Sequence, residues 1–156
     1  MAVPLDPWFV TGLTEGEGCF CVSLALRAKL RTGLEVRPSF SLSLNGKDLG
    51  LLEGLQAFFG CGWIRESKGD RTFKYEARSI GDLSGVILPH FERFPLRGYK
   101  ARSCAGFSRV CEMIEQGDHL QRDGLREIVG IAYQINLGKR RHSQSTLLKV
   151  LDEVKG

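Results

Sequence analysis

The chain has 156 residues, 42% hydrophobic and 26% charged, with 22 Lys and Arg against 18 Asp and Glu, a net charge of +4 and a pI of 8.9. That suits one domain over residues 1–156 with a real core, is too apolar for a disordered chain, and allows a polyanion partner without demanding one. Five cysteines with no CxxC and no Cys/His set at zinc spacing, no signal peptide and no apolar run of spanning length exclude a disulfide framework, a zinc module and a membrane span; reduced thiols in an intracellular protein are expected.

After a short arm, Met1 to Asp6, the first predicted element is a helix ending near Gly18. Pro7 suits a first turn, where its missing N–H costs nothing. Phe9 and Leu13 share one face. Gly12 and Gly16 leave a second face bare, open to close approach of another backbone. Glu15 and Glu17 stand at the C-terminal end, where the helix dipole disfavours negative charge and a divalent cation would offset the cost. The bland alternative is a small-residue helix with incidental acids.

Phe20, Val22, Leu24, Leu26, Ala28 and Leu30 alternate with Cys21, Ser23, Ala25, Arg27, Lys29 and Arg31, which predicts a half-buried antiparallel strand turning at Thr32-Gly33. The return strand, Glu35 to Leu44, puts Val36, Phe40, Leu42 and Leu44 inside and Arg37, Ser39, Ser41 and Ser43 outside. Pro38 suggests an edge or bulge. Asp48 to Phe59 has helical spacing and stops at Gly60-Cys61-Gly62. Trp63 to Lys68 and Thr72 to Ser79 form a second hairpin, with Ile64, Phe73, Tyr75 and Ala77 inside and Trp63, Arg65, Ser67, Thr72, Lys74, Glu76 and Arg78 outside. A helix over Asp82 to Phe94, shortened by Pro89, leads to the linker Pro95 to Gly98. Helices over Tyr99 to Glu115, Leu120 to Leu137 and Ser145 to Val154 complete the chain. Cys104 and Cys111 read as core, and His90, His119 and His142 as surface residues.

Helix, two strands, helix, two strands, then helices make an α+β fold: a four-stranded antiparallel sheet with helices on one face. The open face carries Arg27, Lys29, Arg31, Arg37, Arg65, Lys74 and Arg78 among serines, Thr72 and Trp63. Scattered charges usually mark a solvated face. Here cations outnumber acids and short hydroxyls lie between them, which suits phosphates and base edges.

Val10-Thr11-Gly12-Leu13-Thr14-Glu15-Gly16-Glu17-Gly18 resembles the signature of the LAGLIDADG homing endonucleases, with Glu in place of the more usual Asp. Pro38 to Leu42 with Lys47-Asp48-Leu49, Leu51-Leu52 and Phe58 to Gly62 resembles that family's second strand and following helix. Phe94 to Lys100 resembles its linker, and Asn136 to Arg141 more weakly resembles a segment near its C-terminus. The resemblance implies an αββαββα fold with extra C-terminal helices, covering nearly the whole chain. It implies Mg²⁺, with Mn²⁺ or Ca²⁺ able to substitute in binding, held by Glu17 and the carbonyl of Gly16. Lys100 would stabilise charge or polarise water, or else be a solvated lysine. Ser41, where the family often has Gln, is a candidate for ordering water. Glu15 would serve helix-end hydrogen bonding. Ser39, Ser43, Ser67, Glu76 and the cations of the open face would meet double-stranded DNA; Lys139, Arg140 and Arg141 would contact phosphates or be solvated. A single copy of the signature implies a homodimer joined through Trp8, Thr11, Gly12 and Gly16. The implied activity is a site-specific, staggered double-strand cut in a long pseudo-palindromic site, by an intron- or intein-associated enzyme of an organelle (chloroplast or mitochondrion) or a prokaryotic cytoplasm. The alternatives are an RNA-binding intron maturase and a DNA-binding regulator that has lost cleavage.

Overall fold

A computed structural model describes residues 4–136, 138 and 140–153. Helix α1 (Pro7–Glu17) begins where Asp6 accepts hydrogen bonds from the Trp8 and Phe9 N–H groups at 2.8 and 3.3 Å. Such a cap stabilises a helix by about 1 kcal/mol. Strand β1 (Gly18–Leu26) follows without a linker. Gly18 makes the change of direction possible: a Cβ there would lie 2.5 Å from the Thr14 side chain and 2.8 Å from its carbonyl oxygen.

The expected architecture is present. β2 (Leu34–Asn45), a 3₁₀ turn (Gly46–Asp48), α2 (Leu49–Phe59), β3 (Trp63–Glu66) and β4 (Thr72–Ala77) follow in order. The four strands form one antiparallel sheet in the order β1-β2-β4-β3. α3 (Ile80–Asp82), a π turn (Leu83–Ile87) and α4 (Leu88–Arg93) run together, followed by α5 (Lys100–Glu115), a 3₁₀ turn (Asp118–Leu120), α6 (Arg122–Ile135) and α7 (Gln144–Asp152). The predicted ends Leu137 and Val154 lie outside the described residues.

Period two decides which face is covered. Phe20, Phe40, Leu42, Tyr75 and Ala77 point inward and are buried against Leu52, Leu55, Leu83, Ile87 and Phe107. Phe20 packs against Phe40, Phe91 and Phe107 with ring centroids 5.1–5.4 Å apart. Burial of each such ring contributes about 1.5–3 kcal/mol. A smaller cluster of Leu34, Leu125, Val129, Leu147 and Leu151 fixes α6 and α7 to the start of β2, with Leu24 and Val36 touching both clusters.

Three sequence expectations need correction. The first strand stops at Leu26, not Arg31. Leu30 N–H bonds to Arg27 O, Gly33 N–H bonds to Leu30 O, and Gly33 at φ 74° reverses the chain. Leu26 and Leu30 are 40% and 43% exposed, and Lys29 and Arg31 sit at the hairpin tip rather than on the sheet. Second, Pro89 does not shorten its helix. It cannot donate to the carbonyl four residues back, and the chain absorbs the defect upstream by one π turn, in which Leu88 N–H reaches Leu83 O. Third, His90 is 8% exposed rather than on the surface, ringed by Phe58, Phe59, Phe91 and Phe94. Pro38 fulfils the edge expectation: β4 pairs only with residues Phe40 to Asn45, so the second edge of β2 is free at Pro38.

β1 is an edge strand, and its free edge is capped by a side chain. The Asn136 amide donates to Phe20 O and accepts from Val22 N–H, both at 2.9 Å, as a neighbouring strand would. Asn136→Ala leaves both backbone groups without this partner. We expect a loss of about 1–3 kcal/mol in urea unfolding; an unchanged midpoint would show that the clamp contributes nothing.

Candidate functional site

The last turn of α1 gathers several of the residues singled out in the sequence. Glu17 is exposed, and its carboxylate makes no hydrogen bond or ion pair among the described residues. Glu15 does the opposite. It accepts from the Arg97 and Gly98 N–H groups of the linker at 2.5 and 3.1 Å, and these bonds hold its carboxyl below the usual range. Gly98 is needed for that approach, since a Cβ there would lie 3.0 Å from Glu15 Oε2. Lys100 is not a freely solvated lysine. Its ammonium donates to the Thr14 and Glu15 carbonyls at 3.0 and 3.1 Å, countering the negative end of the helix. Gly16 is exposed in the same turn.

These donors fit a hard divalent cation: a free carboxylate and backbone carbonyls are the oxygen ligands that Mg²⁺ and Ca²⁺ prefer. They are too few to enclose one. Among the described residues, no group of three or more His, Cys, Asp or Glu could hold a metal ion.

The outward face of α1 is bare where the glycines lie. A Cβ on Gly12 or Gly16 would meet nothing within 4 Å, and Trp8 and Phe9 beside them are 48% and 46% exposed. Trp8 packs edge-on against Phe94 at 5.2 Å, with the Arg97 guanidinium 5.8 Å from its ring centroid. Thr11 is a correction: it is 4% exposed and faces inward, so it is no part of this face. Its hydroxyl donates to Phe94 O at 2.8 Å and accepts from His90 Nε2 at 3.1 Å. Val10, Thr11 and Thr14 form the buried stripe, and Phe9 is left outside it.

The sheet register sets the outward residues in rows. Cys19, Ser41, Glu76 and Trp63 lie side by side across the four strands. Ser43, Lys74 and Arg65 form the next row, and Cys21 with Ser39 and Ser23 with Arg37 continue in the other direction. Ser41 is 6% exposed, between Cys19 and Glu76. Cys21 Sγ lies 3.6 Å from Ser23 Oγ, and the neighbouring Cys19 and Cys21 thiols push each other apart, Cys19 upward and Cys21 downward from the usual thiol range. Thr72 donates to Asp70 Oδ1 at 2.7 Å, and Ser67 N–H pairs with Thr72 O at the hairpin end.

Glu76 and Arg140 do not serve as sequence reasoning had them. Glu76 points outward but is only 2% exposed, under Arg65, Lys74 and Arg78 at 3.9, 3.5 and 2.9 Å. Arg78 also lies 5.7 Å from the Trp63 ring centroid. Arg140 is turned inward: it donates to Val22 O, Ala132 O and Asn136 Oδ1 and stacks 4.6 Å from the Tyr133 centroid. Those bonds tie the end of α6 to β1 and withdraw the guanidinium from any phosphate. Arg141 is exposed, and Lys139 lies outside the described residues. Glu35 was missed: it bridges Arg27 and Arg37 at 2.7 and 2.9 Å. Its place two residues before Arg37, on the same strand face, was the available signal.

A family model described as LAGLIDADG endonuclease matches residues 10–111. A Podospora anserina protein described as an uncharacterized 50.9 kDa protein in ND4 intron 1 is 38% identical over 120 residues, 76% of this chain and 26% of that protein. The chain spans 25–30% of the length of the first curated relatives it matches. Among solved structures, the homing endonuclease I-TnaI superposes with a TM-score of 0.85 at 32% identity, over 98% of this chain and 100% of that one. I-SmaMI, bound to an uncleaved DNA target in the presence of calcium ions, superposes with a TM-score of 0.86 at 35% identity, over 96% of this chain and 49% of that one.

The His90–Thr11 contact makes a pH prediction. Burial lowers the His90 pKa below 6.5, so on acidification the unfolded chain takes up this proton before the folded one does. The contribution is full above pH 6.5 and is lost as the pH falls from there through the depressed folded value. Thermal midpoints should therefore drop below that pH in the wild type, and drop less in His90→Gln. Equal slopes in the two proteins would remove His90 as the cause.

Proposed function

Because this chain belongs to the LAGLIDADG endonuclease family, we propose that it is a homing endonuclease, cutting both strands of a long pseudo-palindromic DNA site by metal-dependent hydrolysis. The observation that carries this reading is the free carboxylate of Glu17 at a helix end whose other acid is tied down and whose carbonyls are met by Lys100. The residues that would hold the cation are Glu17 and the Gly16 carbonyl. The calcium ions named for the I-SmaMI complex support a divalent cation of this kind; we assign Mg²⁺, with Mn²⁺ or Ca²⁺ substituting in binding. Such an ion, when bound, acidifies a water and stabilises the leaving 3′ oxygen.

The chain's own residues do the rest. Lys100 spends two hydrogen bonds on α1 carbonyls, and an ammonium has three to give. The third is available to a water or a phosphate oxygen. Ser41, on the row beside Cys19, contributes a hydroxyl to the water at the same end of the sheet. Arg27, Arg37, Arg65, Lys74 and Arg78 meet phosphates and base edges from the open face, with Ser39, Ser43 and Trp63 between them. The DNA named in the I-SmaMI structure and the intron named for the Podospora anserina relative support DNA as partner and an intron-encoded origin.

Two strands need two such sites. One chain offers one Glu17, and this chain matches the whole of I-TnaI but about half of I-SmaMI. We assign the missing half to a second copy, docked through Trp8, Gly12 and Gly16 about a two-fold axis. Gly12→Leu fills the open space against α1 and should give monomers by light scattering, with no double-strand cleavage. A wild type that stays monomeric on DNA it can cleave would defeat the dimer. Glu17→Gln should abolish plasmid cleavage in Mg²⁺ while DNA binding is retained. Cleavage at the wild-type rate would show that the acid is elsewhere.

A further inference from the structure

The described cations of the sheet face are gathered around two carboxylates. Glu35 sits between Arg27 and Arg37 with three directed hydrogen bonds, and its side chain remains 31% exposed. Glu76 sits among Arg65, Lys74 and Arg78 with its side chain 3% exposed. The two differ in kind. Glu35 is a solvated pair whose attraction water screens. Glu76 is a buried charge at the centre of the sheet, facing the surface that the proposed function gives to DNA.

The geometry within the second cluster is unusual. Glu76 Oε1 has Arg78 Nε at 2.9 Å and Arg65 Nη2 at 3.9 Å, yet it accepts no hydrogen bond among the described residues. A buried acceptor left without a bond calls for an explanation. The three cations converge on one buried carboxylate at 2.9–3.9 Å, and its charge holds them together on this part of the face. Arg78 has a second support in the Trp63 ring, which fixes the plane of its guanidinium. Without the carboxylate, three cations on neighbouring positions of two strands would repel one another and fan out to any phosphate in reach.

We propose that Glu76 is a positioning residue for DNA specificity: it withholds Arg65, Lys74 and Arg78 from indiscriminate phosphate binding and presents them to base edges in one arrangement. The inference rests on the reading of this face as the DNA surface. It asks more of that face than a basic charge, because the acid lowers affinity for DNA in general in order to raise the ratio between right and wrong sequences. A bidentate guanidinium contact discriminates only when its orientation is set in advance.

The test compares Glu76→Gln with Glu35→Gln. Both variants raise the charge of the same face by one, so their effect on non-specific binding is matched. The probes are a duplex selected by the wild type from a randomised library in Ca²⁺ and a shuffled duplex of the same composition. Both variants should bind the shuffled duplex more tightly and steepen the salt slope, by up to about one unit per chain. Only Glu76→Gln should lower the ratio of selected to shuffled affinity, by about tenfold. Glu76→Asp keeps the charge but draws it back by one methylene; it should lower the ratio at an unchanged salt slope, and it decides the matter if the Gln variant does not fold. Equal ratios in wild type and both Glu76 variants, or an equal loss in Glu35→Gln, would overturn the proposal while leaving the nuclease reading intact. A wild type that selects no duplex at all defeats that reading, and this inference with it.

Discussion

The end of α1 is held by a reciprocal clamp, and the rest of the molecule is arranged around it. Lys100, at the start of α5, donates to two α1 carbonyls, while Glu15 of α1 accepts from two backbone N–H groups of the linker that precedes α5. Each side satisfies polar groups that a helix end or a loop leaves open. Residues more than 80 positions apart are thereby locked at one point. β1 leaves that point with no intervening loop, so the clamp also sets where the sheet begins and where Glu17 stands. Both charges are consumed in holding position, which is why the one acid left free is the one available to a cation.

The same helix has one covered side and one open side. Its inner stripe of Val10, Thr11 and Thr14 is buried, with the Thr11 hydroxyl tied to His90 and Phe94. Its outer side offers two glycines and two exposed aromatic rings. A surface helix in water normally turns charge outward. Here the bare backbone and the rings of Trp8 and Phe9 form a surface that gains by being covered, close in sequence to the free carboxylate of Glu17. Under the proposed function, a second helix end with its own carboxylate would meet both the shape and the chemistry of that side.

The order of elements, the inward residues of the sheet and the acids of α1 were legible in the sequence, because period two, helical spacing and glycine punctuation are local signals. The failures share a different cause. Leu26 to Leu30 continue a strand pattern, but alternation cannot show that the chain leaves the sheet for a turn through Arg27, Leu30 and Gly33. Thr11, His90 and Arg140 are polar residues that tertiary partners turn inward: Thr11 to His90 and Phe94, Arg140 to β1 and α6. The Asn136 clamp on β1 spans more than 110 positions and has no local pattern. Pro89 announced a break, but the choice between a shortened helix and a π turn was made by packing.

Charge on the sheet face follows from the register and not from composition. Lys74 and Glu76 share a face of β4, Arg65 stands opposite Lys74 on β3, and Trp63 stands opposite Glu76. A shift of one residue would turn all the outward residues of the shifted strand to the core, Trp63 and Arg65 for β3 or Lys74 and Glu76 for β4. The hydrophobic pattern that buries Tyr75 and Ala77 therefore also fixes which cations surround Glu76. The inner face of the sheet is packed for stability, and its packing sets the outer face in an arrangement that no single strand specifies. A substitution in the core beneath β4 can for that reason disturb the outer face without touching a charged residue, by loosening the register that holds the cations around one carboxylate.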